Sequence, residues 1–106
     1  MKRFTILLSA AAILCLLSPA ARAEDKADVL FQSNCQMCHG ADGKGTAVGK
    51  AFNVVDFQDP AVMKMSDADL AAVISKGKNK MPAFGDRLTP PEIESLVSYI
   101  RGLQKH

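Results

Sequence analysis

The residues best suited to chemistry in this chain lie in one short stretch, Cys35-Gln36-Met37-Cys38-His39. Two cysteines separated by two residues, with a histidine directly after the second, form the attachment signature of a c-type haem. In that arrangement each thiol adds across one vinyl group of the porphyrin, and the histidine lies under the iron. We therefore predict that Cys35 and Cys38 hold one haem as thioethers. His39 is predicted to be the proximal iron ligand through its neutral imidazole.

A CxxC pair has other uses, and the sequence bears on each of them. A zinc site takes three or four ligands, and the chain contains no second closely spaced Cys/His pair. A thioredoxin-like redox pair would lie in a βαβ unit, which the sequence does not show. A disulfide between Cys35 and Cys38 stays an alternative, but the adjacent His39 favours haem attachment.

The N-terminus has the three parts of a secretory signal peptide. Lys2-Arg3 gives it a positive start, Phe4 to Leu17 is an apolar run, and Ala21-Arg22-Ala23 offers small residues at both positions that a signal peptidase reads. We predict that residues 1–23 are cleaved off, which leaves residues 24–106 as one small domain. The alternative is an uncleaved membrane anchor, because the charge-free stretch is near the lower length limit for crossing a bilayer.

Export would decide both the compartment and the charge of the mature protein. The periplasm is oxidising, and cleavage removes Cys15, so that the two motif cysteines are the only ones left of three. The whole chain has 13 basic and 11 acidic residues, but the mature part keeps 10 basic residues against the same 11, a formal net charge of −1. Composition therefore gives no indication of nucleic acid or of an anionic membrane as a partner.

The mature chain is predicted to be all helix and loop, because no segment alternates convincingly as a strand. Apolar residues at helical spacing indicate a helix from Ala27 to Gln36 that delivers the cysteine motif. The segment from Gly40 to Pro60 has four glycines in its first ten residues and is predicted to be an irregular loop. A loop of that length in a small domain usually has functional work, and wrapping the edge of a haem is such work.

Three further helix starts can be read from the sequence. Asp59-Pro60 begins a short turn or helix, and Ser66 with Asp69 resembles a capping box for a helix that Gly77 ends. Thr89-Pro90-Pro91-Glu92 is a strong start for the last helix. The positions predicted to be buried on the last two helices are Leu70, Val73, Ile74, Ile93, Leu96, Val97 and Ile100.

Met81 is the candidate for the second iron ligand. It lies on a loop from Lys78 to Phe84 that Pro82 stiffens, because the residue before a proline is held out of helical geometry. A thioether is a soft, neutral donor that can bind haem iron opposite a histidine. Methionine is more often a core filler. We interpret three other methionines as core or surface residues: Met37, Met63 and Met65.

Five motifs follow one another along the mature chain: CxxCHG, ADGKG, SDADL, KMPAF and a final helix with Leu96 and Tyr99 three residues apart. In this order, and over nearly the whole mature chain, they resemble a small bacterial class I cytochrome c. The resemblance implies three to four helices and loops wrapped around one covalently bound haem c. It also implies that Met81, the methionine of KMPAF, is the distal iron ligand.

The resemblance implies particular contacts as well. In that family the phenylalanine four residues before the first cysteine packs on an aromatic residue of the last helix, which corresponds to Phe31 and Tyr99. Ala27 occupies a position where a small residue lets those two helices cross closely. Many members have a proline in the region whose carbonyl groups accept the Nδ1 proton of the proximal histidine. This chain has Val54-Val55-Asp56 there, so the resemblance assigns no acceptor to His39.

Two protein ligands on the iron would leave no open position for a substrate, which suits electron transfer. We therefore expect a periplasmic one-electron carrier that is not an enzyme. It would pass electrons, as a monomer, between redox enzymes of a respiratory or related chain. The alternative is a fixed cytochrome subunit of a larger periplasmic dehydrogenase or oxidase. A third interpretation is a ligand-binding or peroxidatic haem protein in which Met81 stays off the iron.

Five lysines lie on or beside the two predicted loops. They either form a positive rim around an exposed haem edge, which would steer an acidic partner, or are the charges of an ordinary solvated surface. These residues are Lys44, Lys50, Lys76, Lys78 and Lys80.

Overall fold

The structure is a computed structural model that describes residues 26–106, so the predicted signal peptide lies outside the described residues. Within these residues, six helices follow in chain order: α1 (Ala27–Asn34), α2 (Gln36–His39), α3 (Ala47–Ala51), α4 (Pro60–Met63), α5 (Asp67–Lys76) and α6 (Pro90–Leu103). The described part of the chain contains no strand, only an isolated bridge between Lys78 and Met81. The predicted all-α fold is confirmed. The helix number is higher than three to four because α2, α3 and α4 are short pieces of four or five residues.

None of the helices in residues 26–106 has the length and apolar character needed to cross a membrane.

The longest helix, α6, begins where the sequence predicted. Oγ1 of Thr89 accepts a hydrogen bond from the N–H of Glu92, and the Glu92 carboxylate accepts one from the N–H of Thr89. The bond from the Thr89 backbone lowers the pKa of Glu92, which keeps this carboxylate charged at the positive end of the helix. Pro90 and Pro91 fit the first turn, where main-chain N–H groups have no helical partner. The predicted stripe is buried: Ile93, Leu96, Val97 and Ile100.

Helix α5 also has the predicted ends. Oγ of Ser66 accepts a hydrogen bond from the N–H of Asp69 at 3.0 Å, and Gly77 ends the helix with a φ of 73°, a conformation that favours glycine. Leu70 and Ile74 are buried as predicted, whereas Val73 is only half-buried. Leu70 and Ile74 lie four residues apart on one face, and Val73 lies at the edge of that face.

Helix α1 crosses α6 with a close aromatic contact. Ala27 and Phe31 lie four residues apart on α1 and are both buried. The ring centroid of Phe31 lies 4.9 Å from that of Tyr99 on α6, with the rings tilted by 39°. The expected contact of Phe31 with Tyr99 is confirmed. Ala27 is buried, and the expectation that a small residue is needed there stays a prediction. This crossing holds the end of α1, and with it the cysteine motif, against the core.

The C-terminal part of α6 holds the segment that precedes α5. Nε of Arg101 donates to Oδ1 of Asp67 at 2.9 Å, and Nη2 of Arg101 donates to the main-chain oxygen of Met65. Nε2 of Gln104 donates to the main-chain oxygen of Phe57 at 2.9 Å. An exposed ion pair contributes at most about 1 kcal/mol. The main effect of these contacts is therefore to fix the position of the segment from Phe57 to Asp67.

Candidate functional site

The CxxCH motif lies at the junction of α1 and α2. The N–H of Cys35 donates to the main-chain oxygen of Phe31 at 2.8 Å, and the N–H of His39 donates to that of Cys35 at 2.9 Å. The helical path therefore continues almost unbroken through the motif, and its three side chains come from little more than one turn. Cys35 and Cys38 are both free cysteines, so the structure contains no disulfide between them. The predicted cluster of Cys35, Cys38 and His39 is thus brought together at one place.

Burial sets the protonation of two motif residues. Desolvation raises the pKa of the Cys35 thiol to about 11, which keeps this side chain uncharged at neutral pH. Desolvation lowers the pKa of His39, which favours the neutral imidazole that binds metals. A site that disfavours charge on both residues suits neutral thioether and imidazole groups.

Thr46 ties the segment after the motif to the motif itself. Its N–H donates to the main-chain oxygen of Cys38 at 3.0 Å, and its Oγ1 donates to the main-chain oxygen of Met37 at 2.6 Å. The same hydroxyl accepts a hydrogen bond from the N–H of Gly49 at 3.0 Å, which makes Thr46 the N-cap of α3. Carbonyl groups at the end of α2 therefore have donors from a neighbouring segment.

Helix α3 corrects the prediction of an irregular loop from Gly40 to Pro60. The glycines that suggested a loop instead let chain segments approach closely. A Cβ on Gly49 would lie 1.9 Å from the main-chain oxygen of Cys38, and a Cβ on Gly43 would lie 2.4 Å from Cδ2 of Phe57. The segment therefore wraps the motif, as expected, but it does so with a capped helical turn rather than as loop throughout.

Phe57 sets the orientation of the His39 ring. The two rings are stacked with centroids 4.6 Å apart and an angle of 27° between their planes. The N–H of Phe57 donates to the main-chain oxygen of Gly43 at 3.0 Å, and the main-chain oxygen of Phe57 accepts from Gln104. Phe57 is therefore held both by the segment after the motif and by the residue that follows α6. Nδ1 of His39 is buried and has no hydrogen-bond partner among residues 26–106. Among residues 26–106, stacking on Phe57 is the contact that orients this ring.

Sequence reasoning missed both Thr46 and Phe57. Thr46 had a weak signal, because threonine is a common N-cap, but the glycines around it argued for a loop. Phe57 had no local signal, because its partners His39 and Gln104 lie 18 and 47 residues away along the chain.

Met81 lies half-buried on the loop between α5 and α6, against the apolar core. The N–H of Met81 donates to the main-chain oxygen of Lys78 at 2.9 Å, and the N–H of Lys78 donates to that of Met81 at 3.1 Å. The N–H of Phe84 donates to the main-chain oxygen of Ile74 at 2.9 Å, which anchors the end of the loop to α5. Cys35 packs against the same core cluster as Met81. The fold therefore places one attachment cysteine and the proposed distal ligand against the same apolar cluster.

The remaining methionines fit their interpretation. Met37 is 76% exposed and Met63 is 46% exposed, whereas Met65 packs against the core. Five lysines beside the two loops are exposed: Lys44, Lys50, Lys76, Lys78 and Lys80.

The donor chemistry of the motif fits a covalently held haem. Within the described residues, no three or more His, Cys, Asp or Glu side chains come together in a way that could hold a metal ion. A zinc site would need such a group, whereas a c-type haem needs two thiols for its vinyl groups and one imidazole for its iron. Cys35, Cys38 and His39 provide that set, and Met81 offers a further neutral donor.

Comparison with known proteins identifies the family. A family model described as cytochrome c oxidase, cbb3-type, subunit III matches residues 22–100. The chain belongs to this family of c-type cytochromes. Cytochrome c6 of Thermosynechococcus vestitus is 32% identical to this cytochrome over 102 residues, which cover 93% of the present chain and 89% of that protein. Cytochrome c6 of Gloeothece citriformis is 35% identical over 74 residues, covering 67% of the present chain and 63% of that protein.

A solved structure supports the same assignment. The c-type cytochrome KustC0563 is 32% identical to this cytochrome and matches it with a TM-score of 0.69, covering 74% of the present chain and 96% of that chain. The resemblance to a small class I c-type cytochrome is therefore confirmed. The cytochrome is an electron carrier, and its cofactor is covalently bound haem c.

Proposed function

We propose that this cytochrome is a periplasmic one-electron carrier in which the protein supplies both axial iron ligands. Cys35 and Cys38 hold the haem as thioethers, His39 is the proximal ligand and Met81 is the distal ligand. The observation that carries the proposal is the placement of Met81 on a tight loop, packed against the same core cluster as Cys35. Bound haem c supplies one-electron exchange between ferrous and ferric iron.

The protein residues have separate roles in this proposal. Phe57 stacks on His39 and orients the ring, while burial keeps the imidazole neutral and able to bind. Met81 offers a weakly donating thioether, and a His/Met pair raises the reduction potential relative to two histidines. With both His39 and Met81 bound, the iron would have no site for a substrate, which favours electron transfer with redox partner proteins over catalysis.

The compartment follows from the sequence. Residues 1–23 have the pattern of a signal peptide, and haem attachment through CxxCH suits an exported protein. We propose that residues 24–106 form the mature domain, which acts as a monomer and meets its electron donor and acceptor only transiently. N-terminal sequencing of the protein purified from the periplasm tests this: a start at Glu24 is expected, and retention of Met1 would contradict it.

The second candidate is a fixed cytochrome subunit of a larger periplasmic oxidase or dehydrogenase. The family description, which names a subunit of an oxidase, favours the oxidase form of it. The similarity to cytochrome c6 over 89% of that protein favours the free carrier. Gel filtration of a periplasmic extract at native expression level separates the two. A free carrier elutes at the size of the monomer, whereas a subunit elutes with its enzyme.

The optical spectrum of the purified ferric protein tests the ligand set. We expect a weak far-red charge-transfer band from thioether sulfur to ferric iron, because Met81 occupies the sixth position. Met81→Ala should keep the haem attached, lose this band and bind carbon monoxide without delay when reduced. Met37→Ala is the matched control, because Met37 is 76% exposed, and it should keep the band. A wild-type band in Met81→Ala would overturn the distal assignment.

A further inference from the structure

Lys80, the residue directly before Met81, contacts the segment that follows the CxxCH motif. Its Nζ lies 5.4 Å from the ring centroid of Phe52, within the range of a cation–π interaction. Phe52 is the C-cap residue of α3, and its side chain is 49% exposed. The contact therefore joins the loop of the proposed distal ligand to the helix that Thr46 ties to the motif.

The contact of Lys80 with Phe52 is a polar contact between the loop from Lys78 to Phe84 and the segment of residues 45–54. The hydrogen bonds of the loop from Lys78 to Phe84 stay within the loop, go to α5, or join Phe84 to Arg87 and Leu88 just after it. Those of residues 45–54 stay within that segment or go to α2. Within residues 26–106, no hydrogen bond or ion pair spans the two segments. In the same range, Pro82 and Ala83 make no hydrogen bond and are exposed.

We propose that Lys80 and Phe52 form a latch that holds the loop from Lys78 to Phe84 closed against the end of α3. Lys80 is then a positioning residue for Met81, a role that rests on the proposed function. The loop opens more often when either side chain of the latch is removed. An exposed cation–π contact corresponds to a change of about two- to fivefold in the ratio of open to closed loop.

Amide hydrogen exchange of the ferric holoprotein measures this opening directly. The probe is the protection factor of the Met81 N–H, which is hydrogen-bonded to Lys78 in the closed loop. We expect Phe52→Leu and Lys80→Gln each to lower it by about two- to fivefold. The double variant should lower it no further, because both changes remove the same contact. Lys80→Arg should keep the protection, since a guanidinium also lies well over an aromatic ring.

Two controls separate the latch from other effects. Lys78→Gln removes an exposed lysine of the same loop that has no aromatic partner among the described residues, and it should leave the protection unchanged. The N–H of Val54, bonded to Gly49 at 2.9 Å, should keep its protection in Phe52→Leu. Unchanged protection of Met81 in Phe52→Leu and Lys80→Gln overturns the latch. So does an equal loss in Lys78→Gln, or an equal loss at Val54.

The ligand assignment is tested separately by the far-red band. If the band is present, imidazole binding to the ferric iron should accelerate by the same factor as the loss of Met81 protection, in Phe52→Leu and Lys80→Gln alike. An unchanged imidazole rate would then overturn the positioning role of Lys80. If the band is absent while exchange accelerates as expected, the latch stands and Met81 is removed as the ligand.

Discussion

The segment from Cys35 to Phe57 and the loop from Gly77 to Leu88 carry the two proposed iron ligands, and different contacts hold them in the fold. The first segment is bonded to itself at many points, through Thr46, through the close approach of Gly49 and through the stacking of Phe57 on His39. The second is closed by one short bridge and anchored at its end by N–H groups that donate to the last carbonyl groups of α5. Within it Pro82 and Ala83 are exposed, Met81 is half-buried and Phe84 is buried.

This difference predicts which ligand leaves first. Regions with few buried contacts and few anchoring hydrogen bonds open locally at lower free energy than the rest of a fold. The part of the loop from Lys78 to Ala83 has few anchoring hydrogen bonds, whereas the His39 side is bonded to the attachment site at several points. The iron is therefore expected to exchange its distal ligand without any loss of the haem.

The largest expected effect comes from removing the histidine of the better-anchored segment. His39→Ala should reduce the yield of holoprotein by at least about tenfold, because even the outer partners of metal ligands typically change affinity by that much. The ratio of haem to protein in periplasmic extracts measures the yield. His106→Ala is the control, since His106 is the other histidine of the chain and is exposed. Normal haem content in His39→Ala would contradict the proximal assignment.

The close packing of α3 against the cysteine motif can be tested at Gly49. A methyl group there would lie 1.9 Å from the main-chain oxygen of Cys38, so that α3 and the motif must move apart. We expect Gly49→Ala to lower the free energy of unfolding of the holoprotein by about 2–3 kcal/mol, as overpacking of a core does. Guanidinium denaturation followed by circular dichroism measures it.

Gly102 is the matched control for this substitution. It also lies in a helix, and a Cβ there would meet nothing within 4 Å. Gly102→Ala should therefore stabilise the protein by about 0.5–1 kcal/mol, through helix propensity and a less flexible unfolded chain. If both variants changed stability in the same direction and by a similar amount, close packing around the motif would not be a special feature of the site.

The sequence predicted those elements whose causes are local. Ser66 and Thr89 cap their helices because each accepts a hydrogen bond from a residue three positions later, and such a signal needs no knowledge of the fold. The cysteine motif is likewise a local spacing. The contact of Phe31 with Tyr99 joins residues far apart in the chain, and it could be expected only from the resemblance to a family.

The parts that the sequence did not predict depend on distant partners. Helix α3 is five residues long, too short to show an apolar period. Its cap residue, Thr46, is held in place by bonds that it donates to carbonyl groups of the preceding helix. Phe57 is placed by Gly43 and Gln104 together. The contact of Lys80 with Phe52 also joins residues that are distant in the chain, so no local pattern predicts it. The predicted roles of His39 and Met81 on the iron stay predictions, to be decided by the spectra above.

The threonine caps of α3 and α6 test, with the smallest expected effect, whether the segment from Cys35 to Phe57 is anchored more firmly than the rest of the fold. Thr46 caps α3 and also donates to the main-chain oxygen of Met37, whereas the hydroxyl of Thr89 only caps α6. Loss of a cap costs about 1 kcal/mol, with values up to about 2 where further contacts are lost. Thr46→Ala should therefore lower the free energy of unfolding by about 2 kcal/mol and Thr89→Ala by about 1 kcal/mol.

Only Thr46→Ala should also weaken amide protection at His39 and Gly45, because only Thr46 binds the end of the motif helix. Equal losses of stability, with protection at His39 unchanged in both, would show that the motif side is no better anchored than the rest of the fold.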